Sequence, residues 1–155
     1  MAMTLDGPLA DRDRWQATRC SIGKAMEVVG NRTSMLLLRE AFYGTTRFHD
    51  FATRVGVTEA SAAARLRELV DIGVFEKRPY QEPGQRTRHE YVLTDMGRDL
   101  LPAMLALMQW GDRHLQHDGA PLRVVDATGS PVRVQVRGED NRALTAEDLT
   151  VQVNR

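Results

Sequence analysis

The chain has only one cysteine, Cys20, among its 155 residues. A single thiol cannot form a disulfide within the chain, so a secreted fold held together by internal disulfides is excluded. One cysteine is consistent with a protein of a reducing compartment. Long apolar runs are also missing, because the most apolar stretch, LLPAMLALMQW, is too short to span a bilayer. The charged N-terminal residues lack the apolar core of a secretory signal. We therefore expect a soluble, cytoplasmic protein with no membrane partner.

Excess charge of either sign is missing too, since the formal net charge is zero. A net charge of zero does not indicate a nucleic-acid partner. It does not exclude one either, because binding depends on where the positive charge lies. Lysine is scarce: Lys24 and Lys77 are the only two, and the other nineteen basic residues are arginines. Arginine suits forked contacts to phosphates and guanine edges. A GC-rich genome would give the same bias, and both explanations stay open.

Patterns typical of enzymes are not found in the sequence. It contains no glycine-rich phosphate loop, no Ser-His-Asp order and no recognisable frame of paired carboxylates. His114 and His117 share a spacing of three residues, which alone is a weak metal-ligand signal. We therefore expect neither an enzyme nor a bound cofactor or metal.

Three segments before residue 57 have apolar residues at helical spacing. The first begins at Ser21 and ends at Gly30-Asn31, the second runs from Thr33 or Ser34 to Tyr43, and the third is RFHDFATRV. Residues 1–19 show no clear period and are expected to form a flexible arm. At 42% apolar residues, the chain can build one core domain.

The stretch that follows, residues 57–93, combines a fourth helix with a hairpin. Thr58 is its predicted N-cap, and Gly56 separates it from the third helix. Residues 75–80 and 88–93 are extended, and Pro83-Gly84 between them is a strong turn signal. Two short helices followed by a hairpin predict a winged helix-turn-helix, mainly α with a small β-hairpin wing.

A last helix is predicted from Thr94 to about Leu115, with Pro102 inside it to kink or divide it. It is apolar on two faces, and one of them can cover the core of the domain. The other face, which carries Leu100, Leu107 and Trp110, needs a further partner, for which a second copy is the simplest choice. The alternative is a helix sandwiched within a monomer.

Residues 118–155 alternate apolar and polar side chains around Thr128-Gly129-Ser130-Pro131. This pattern predicts a second hairpin, and LTAEDLTVQV can add a helical turn and a strand. We expect a short, β-rich C-terminal appendage whose role the sequence does not indicate. The predicted organisation is an arm at 1–19, a winged helix-turn-helix domain at 20–117, and the appendage at 118–155.

Several segments of the sequence, taken together, resemble one known protein family. Cys20 at the first helix is followed by LLLREAFYGTTRFHDF, RLRELVDIGVFEKRPYQ, RHEYVLTDMGRDLLP and QWGDRHL, in that order. In these segments the chain resembles the HxlR (DUF24-type) family of bacterial winged-helix transcriptional regulators. The resemblance implies a homodimer built from the first and last helices, which binds a palindromic operator in double-stranded DNA. The residues expected at the dimer interface are Ile22, Met26, Leu100, Leu107 and Trp110.

The chain departs from the family's pattern at several places. Thr33 stands where the family usually has Trp, and the exposed start of the recognition helix is short and partly acidic, with Glu59 in it. Phosphate contacts and DNA shape are therefore expected to contribute much of the binding. The candidate DNA-binding residues lie at the recognition helix, the helix before it and the wing tip: Arg47, Thr58, Ala60, Ser61, Ala64, Arg65, Arg67, Gln85, Arg86 and Arg88.

Each group of candidates has a physical reason and an alternative. Hydroxyls at a helix N-terminus can reach phosphates, small alanines can meet thymine methyls, and an arginine on a hairpin can enter a narrow minor groove. Alternatively, Arg65 pairs with Glu68, and the wing tip is a solvated turn.

Cys20 lies just before a helix N-terminus, with Arg19 and Lys24 nearby. Such surroundings favour the reactive thiolate. The resemblance points the same way, because several relatives sense oxidants or electrophiles through the corresponding cysteine. The alternative is a buried, inert core cysteine. A sensing Cys20 would form an intersubunit disulfide or an adduct, since the chain has no second cysteine.

The function predicted from the sequence is a homodimeric, sequence-specific DNA-binding transcriptional regulator that acts as a repressor. A response to oxidants, electrophiles or a small-molecule effector fits this prediction, with the effector pocket near Thr33 and Trp110. The alternative is a winged-helix protein–protein adaptor without specific DNA binding.

Overall fold

The computed structural model describes residues 1–16 and 18–154, so Ala17 of the predicted arm and Arg155 of the predicted appendage lie outside the described residues. The fold is mainly helical with a small hairpin, as predicted. In chain order the elements are β1 (Thr4–Leu5), α1 (Ser21–Val29), α2 (Arg32–Phe42), α3 (Phe48–Val55), α4 (Glu59–Ile72), β2 (Phe75–Tyr80), β3 (Arg88–Leu93), α5 (Asp95–Arg98), α6 (Leu101–His114) and β4 (Thr150–Val151).

The chain divides into two compact units. One comprises Ser21–Gly111, and the other combines Met1–Cys20 with Asp112–Arg155. Among the helices of the described residues, none has the length and apolar content that crossing a bilayer needs.

The core of the first unit is built from the inner stripes of its helices and from the first residue of the wing. Leu37, Phe51, Leu66 and Phe75 are almost completely buried. The rings of Phe51 and Phe75 meet edge to face, with centroids 5.9 Å apart, an arrangement that aromatic pairs prefer. This packing fixes α3 and α4 against the base of the wing.

The turn between α3 and α4 is short because both of its ends are capped. Gly56 ends α3 in the left-handed region at φ 76°, where a glycine has no steric cost. Thr58 then caps α4, and its hydroxyl oxygen accepts a hydrogen bond from the backbone N–H of Ser61 at 3.1 Å. The helix-turn-helix predicted from these residues is confirmed.

The wing is the antiparallel pair β2–β3, in register from Phe75 opposite Leu93 to Tyr80 opposite Arg88. Its strands have the bounds that the sequence predicts. Gly84 takes φ 75° in the connecting loop, as expected for a turn glycine after Pro83.

The predicted last helix is divided into α5 and α6. Pro102 lies in the first turn of α6, where its missing N–H costs no helical hydrogen bond. Met104 and Leu105 of α6 are buried, whereas Leu107 and Trp110 are 54% and 56% exposed.

The unit formed by the two termini contains the parallel pair β1–β4, with Thr4 opposite Thr150 and Leu5 opposite Val151. Thr4 and Leu5 of the predicted arm thus pair with residues of the predicted appendage. Strands of two residues carry no readable periodicity, so the sequence could not indicate the pairing. The second predicted hairpin consists of a single bridge between Val125 and Pro131 around the expected turn.

Candidate nucleic-acid interface

The exposed start of α4 carries small side chains. Ala60, Ser61 and Ala64 are exposed, as the sequence predicts. The hydroxyl of Thr58 donates to the Ser61 hydroxyl oxygen at 3.1 Å, so the first turn presents a linked pair of hydroxyls. This surface can approach another molecule closely, but it offers few long polar side chains to read bases.

A groove of about 630 Å³ lies between the starts of α3 and α4 and the wing. It brings together Arg47, Arg86 and Arg88, three of the predicted DNA-binding residues, from different elements. The other charged or titratable side chains of its lining are His49, Asp50, Glu59, Lys77, Tyr80, His89 and Tyr91. Four permanent cations face two carboxylates, so the groove is a locally basic surface on a neutral chain.

Arg47 fastens the wing loop to the start of α3. Its Nη1 lies 2.7 Å from a carboxylate oxygen of Glu82, and its guanidinium lies 4.6 Å from the ring centroid of Tyr80. The hydrogen bond to Glu82 raises the pKa of Arg47 above its ordinary value. Part of its guanidinium is therefore occupied within the chain, which makes Arg47 a positioning residue as well as a source of charge. Sequence patterns gave no signal for Glu82 or Tyr80, because both lie far along the chain.

His49 and Glu59 form a second link across the groove, between the starts of α3 and α4. Nδ1 of His49 lies 3.2 Å from a carboxylate oxygen of Glu59. From the sequence, Glu59 was predicted only as an acidic residue at the exposed start of the recognition helix. The turn at Gly56 brings the two together.

The remaining predicted contacts lie outside this groove. Nη1 of Arg65 donates to Glu68 at 2.7 Å, which is the pairing that the sequence left open as the alternative. Arg67 is exposed beside Lys77 and Tyr91, in a separate depression of about 410 Å³. Gln85 lies in the wing loop, where its backbone carbonyl accepts from the side chain of Gln81.

Arg78 of the wing is held differently from its basic neighbours. It donates to Glu76 at 3.0 Å, and this bond raises the pKa of Arg78 above its ordinary value. Arg78 is not among the residues that line the groove. The wing, meaning its two strands and the loop that joins them, therefore carries both groove-lining cations and a paired surface cation.

The chain matches the family model described as HxlR-like helix-turn-helix over residues 28–119. It belongs to this family.

Named relatives of this HxlR-like chain are regulators of transcription. An uncharacterized HTH-type transcriptional regulator of Mycobacterium tuberculosis is 45% identical over 105 residues, which are 67% of this chain. The match spans 65% of that relative's length. The HTH-type regulator YdeP of Bacillus subtilis is 28% identical over 61% of this chain and 73% of its own length.

Solved structures agree with this assignment. The transcription-factor candidate PA1607 superposes with a TM-score of 0.78 at 38% identity, over 90% of this chain and 96% of that one. The redox regulator HypR in its reduced form superposes with a TM-score of 0.54 at 27% identity, over 59% of this chain and 90% of its own. The chain thus has an HxlR-like helix-turn-helix domain, and the proteins it is similar to are named as transcriptional regulators or transcription factors.

Two further predicted features can now be placed on this regulator. Cys20 is exposed, immediately before α1 begins, so the interpretation as a buried core cysteine does not fit. An apolar pocket of about 280 Å³ lies between α2 and α6, lined by Met35, Leu36, Arg39, Tyr43, Met104, Leu107 and Met108. This lining includes neither Thr33 nor Trp110, the residues near which the sequence places an effector pocket.

Proposed function

We propose that this regulator binds a palindromic operator in double-stranded DNA as a homodimer and represses transcription from it. The observation that carries the proposal is the basic groove beside the first turn of α4, where Arg47, Arg86 and Arg88 converge. Such a surface attracts phosphates, while the exposed Ala60 and Ala64 let α4 approach base edges in the major groove.

The two parts of the interface have different tasks. The linked hydroxyls at the N-terminus of α4 suit a phosphate, because backbone N–H groups and the helix dipole favour negative charge there. The arginines of the wing supply contacts to the backbone or to a narrow minor groove. Base readout is sparse in this arrangement, so DNA shape has a large share in specificity.

Dimerisation is supported by the exposed apolar surface of two helices. Ile22 and Met26 on α1 and Leu107 and Trp110 on α6 are all exposed, although each is apolar and large. Leu100, the fifth predicted interface residue, is half-buried and packs against the core of its own unit. A second copy would cover the four exposed side chains.

A fluorescence-anisotropy titration with promoter DNA from the regulator's own gene tests the DNA-binding proposal. We expect the logarithm of the association constant to fall linearly with the logarithm of the salt concentration, because phosphates that are bound by the protein release their counterions. Absence of binding at low salt would reject it in favour of the protein–protein adaptor. A reporter gene behind the same promoter separates a repressor, which lowers expression, from an activator.

We also propose that oxidation or alkylation of Cys20 modulates this binding. The thiol is exposed next to α1, whose apolar face is part of the proposed dimer surface. Diamide would accept two hydrogens as the thiols of two subunits form one intersubunit disulfide, and an electrophile would form an adduct. Operator binding is compared before and after diamide in the wild type and in Cys20→Ser. Equal responses in both proteins would remove Cys20 as the sensor.

A further inference from the structure

The chain exposes more surface than its mass predicts. Its accessible surface is 11846 Å² for 17.4 kDa, whereas a folded monomer of that mass exposes about 7,900 Å². Two separate globular bodies of half this mass would together expose about 9,500 Å². The division into two units therefore does not account for the difference. Roughly 2,400 Å² of accessible surface remains in excess of the value expected for two folded bodies.

Exposed apolar side chains are frequent in the C-terminal segment, defined here as residues 115–153. From residue 112 to residue 154, a range that the structure describes throughout, no side chain is fully buried. Large apolar residues within the segment are exposed, Leu122 and Val136 by 57% each. The other exposed large apolar residues there are Leu115, Val125, Val151 and Val153.

The C-terminal segment nevertheless has defined turns. The side chain of Asp126 accepts hydrogen bonds from the backbone N–H groups of Thr128 at 2.8 Å and Ser130 at 3.0 Å. The hydroxyl of Thr128 also donates to Asp126 at 2.7 Å, and this bond, together with the backbone bonds, lowers the pKa of Asp126. The backbone N–H of Thr145 donates to Asp148 at 2.8 Å in the same manner. Such ordering costs conformational entropy, which burial of apolar surface must offset in a segment without a disulfide.

We propose that the C-terminal segment is buried against a second copy of this chain, so that each copy completes the core of the unit that the other copy's two termini form. The proposal rests on the homodimer proposed above and extends its interface beyond the domain shared with the family, which ends at residue 119. In sequence the segment directly follows α6, whose Leu107 and Trp110 are exposed and belong to the proposed dimer surface.

Area and charge both favour a second copy over DNA as the occupant. Each chain has an excess accessible surface of roughly 2,400 Å². Burial of this surface on both copies would give an interface of about 4,800 Å², within the range of obligate dimers. The segment carries six carboxylates against four arginines. This acidic balance repels phosphates, whereas apolar side chains spaced along it suit a protein surface.

Photo-crosslinking in co-expressed full-length chains tests the proposal. One copy carries p-benzoylphenylalanine in place of Val136, and the other is wild type with a larger tag, so a link between copies gives a product of distinct mass. Parallel samples carry the probe at Leu107 on α6 and at Gln85 in the wing loop. We expect intersubunit products from positions 136 and 107 and none from position 85.

The outcomes separate the two proposals. A product from position 107 with none, or only links within one chain, from position 136 would overturn the role of the C-terminal segment and leave the dimer standing. Absence of both products, with a monomer mass by light scattering, would reject the dimer itself.

A second measurement uses glutamate substitutions that bury a charge only if the segment is covered. Leu122→Glu and Val136→Glu are each expected to raise the dimer dissociation constant at least tenfold, measured by analytical ultracentrifugation. Glu139→Gln, on an exposed residue of the same segment, is the control and should stay within about twofold. Unchanged dissociation constants in both glutamate variants would contradict the proposal.

Discussion

Arg86 in the wing loop and Arg88 on β3 line the groove, whereas Arg78 on β2 has a different environment. In the part of the chain that the structure describes, neither Arg86 nor Arg88 forms a salt bridge, whereas Arg78 is paired with Glu76. Cations without an internal partner are available to DNA phosphates. This difference makes the wing a place where charge can be removed with a matched control.

We predict that Arg86→Ala weakens operator binding by about tenfold and reduces the slope of log K against log salt by about one, because one phosphate contact is lost. Anisotropy titrations over a range of salt concentrations measure both quantities. Arg78→Ala removes the same charge from the paired position and is expected to change affinity by no more than about twofold. Equal losses in the two variants would mean that only overall charge matters.

Glu59 places a carboxylate at the start of the proposed recognition helix, inside the basic groove. We predict that Glu59→Gln strengthens binding to DNA about threefold or more, since a repulsion with phosphates is removed. The helix dipole favours an acid at this end, so the variant loses up to about 0.5 kcal/mol of stability. The measurements are anisotropy and thermal unfolding.

Glu68→Gln is the matched control for Glu59, because Glu68 lies on the same helix, is paired with Arg65 and does not line the groove. Its affinity for DNA should stay near that of the wild type. If Glu59→Gln instead weakens binding to the operator while leaving binding to random DNA unchanged, Glu59 accepts a hydrogen bond from a cytosine, and the repulsion argument is wrong.

At the scale of elements, helix α5 holds the base of the wing in place. Thr94 caps α5 by accepting from the backbone N–H of Gly97 at 3.2 Å, and its hydroxyl also bonds the carbonyl oxygens of Gly73 and Val74. Gly97 lies so close to the wing that a Cβ there would be 2.3 Å from the carbonyl oxygen of Val74. Such a distance is not tolerated, so a side chain must push α5 away from the strand.

We therefore predict that Gly97→Ala destabilises the protein by about 1–3 kcal/mol, the usual cost of overpacking, although alanine favours helices. Gly111→Ala in α6 is the control, since a Cβ at Gly111 meets nothing within 4 Å. This control should be neutral or slightly stabilising, by up to about 1 kcal/mol. Thermal or urea unfolding measures both, and equal stability of the two variants would contradict the packing argument.

The same elements show what the sequence can predict. Helices α1 to α4 and the wing follow from local signals such as the Thr58 cap, the glycines that end α3 and α4, and the Pro83-Gly84 turn. Contacts between distant residues leave no such signal. The Arg47–Glu82 bond and the His49–Glu59 pair depend on tertiary packing, and the β1–β4 pair joins opposite ends of the chain. The groove was therefore predicted as separate residues, and its internal links were not.

For the whole molecule, zero net charge limits the long-range attraction between the regulator and DNA. Positive charge is gathered in the groove of each domain, while the C-terminal segment is acidic in balance. In the proposed dimer, affinity would then come from two grooves that engage the same duplex, because one groove alone offers few contacts. The affinity of the proposed dimer would therefore depend strongly on the spacing between the two half-sites.

We predict that insertion of five base pairs between the half-sites of the operator reduces affinity to that of a single half-site. Five base pairs rotate one half-site by about half a turn of B-DNA, so a rigid dimer cannot place both α4 helices in the major groove on one face. The same five base pairs inserted outside the operator serve as the control and should have no effect. Titrations by gel shift, with DNase footprints of the three DNAs, measure the change. Full affinity for the split operator would show that the two DNA-binding domains bind independently, and the proposed two-fold arrangement would then be wrong.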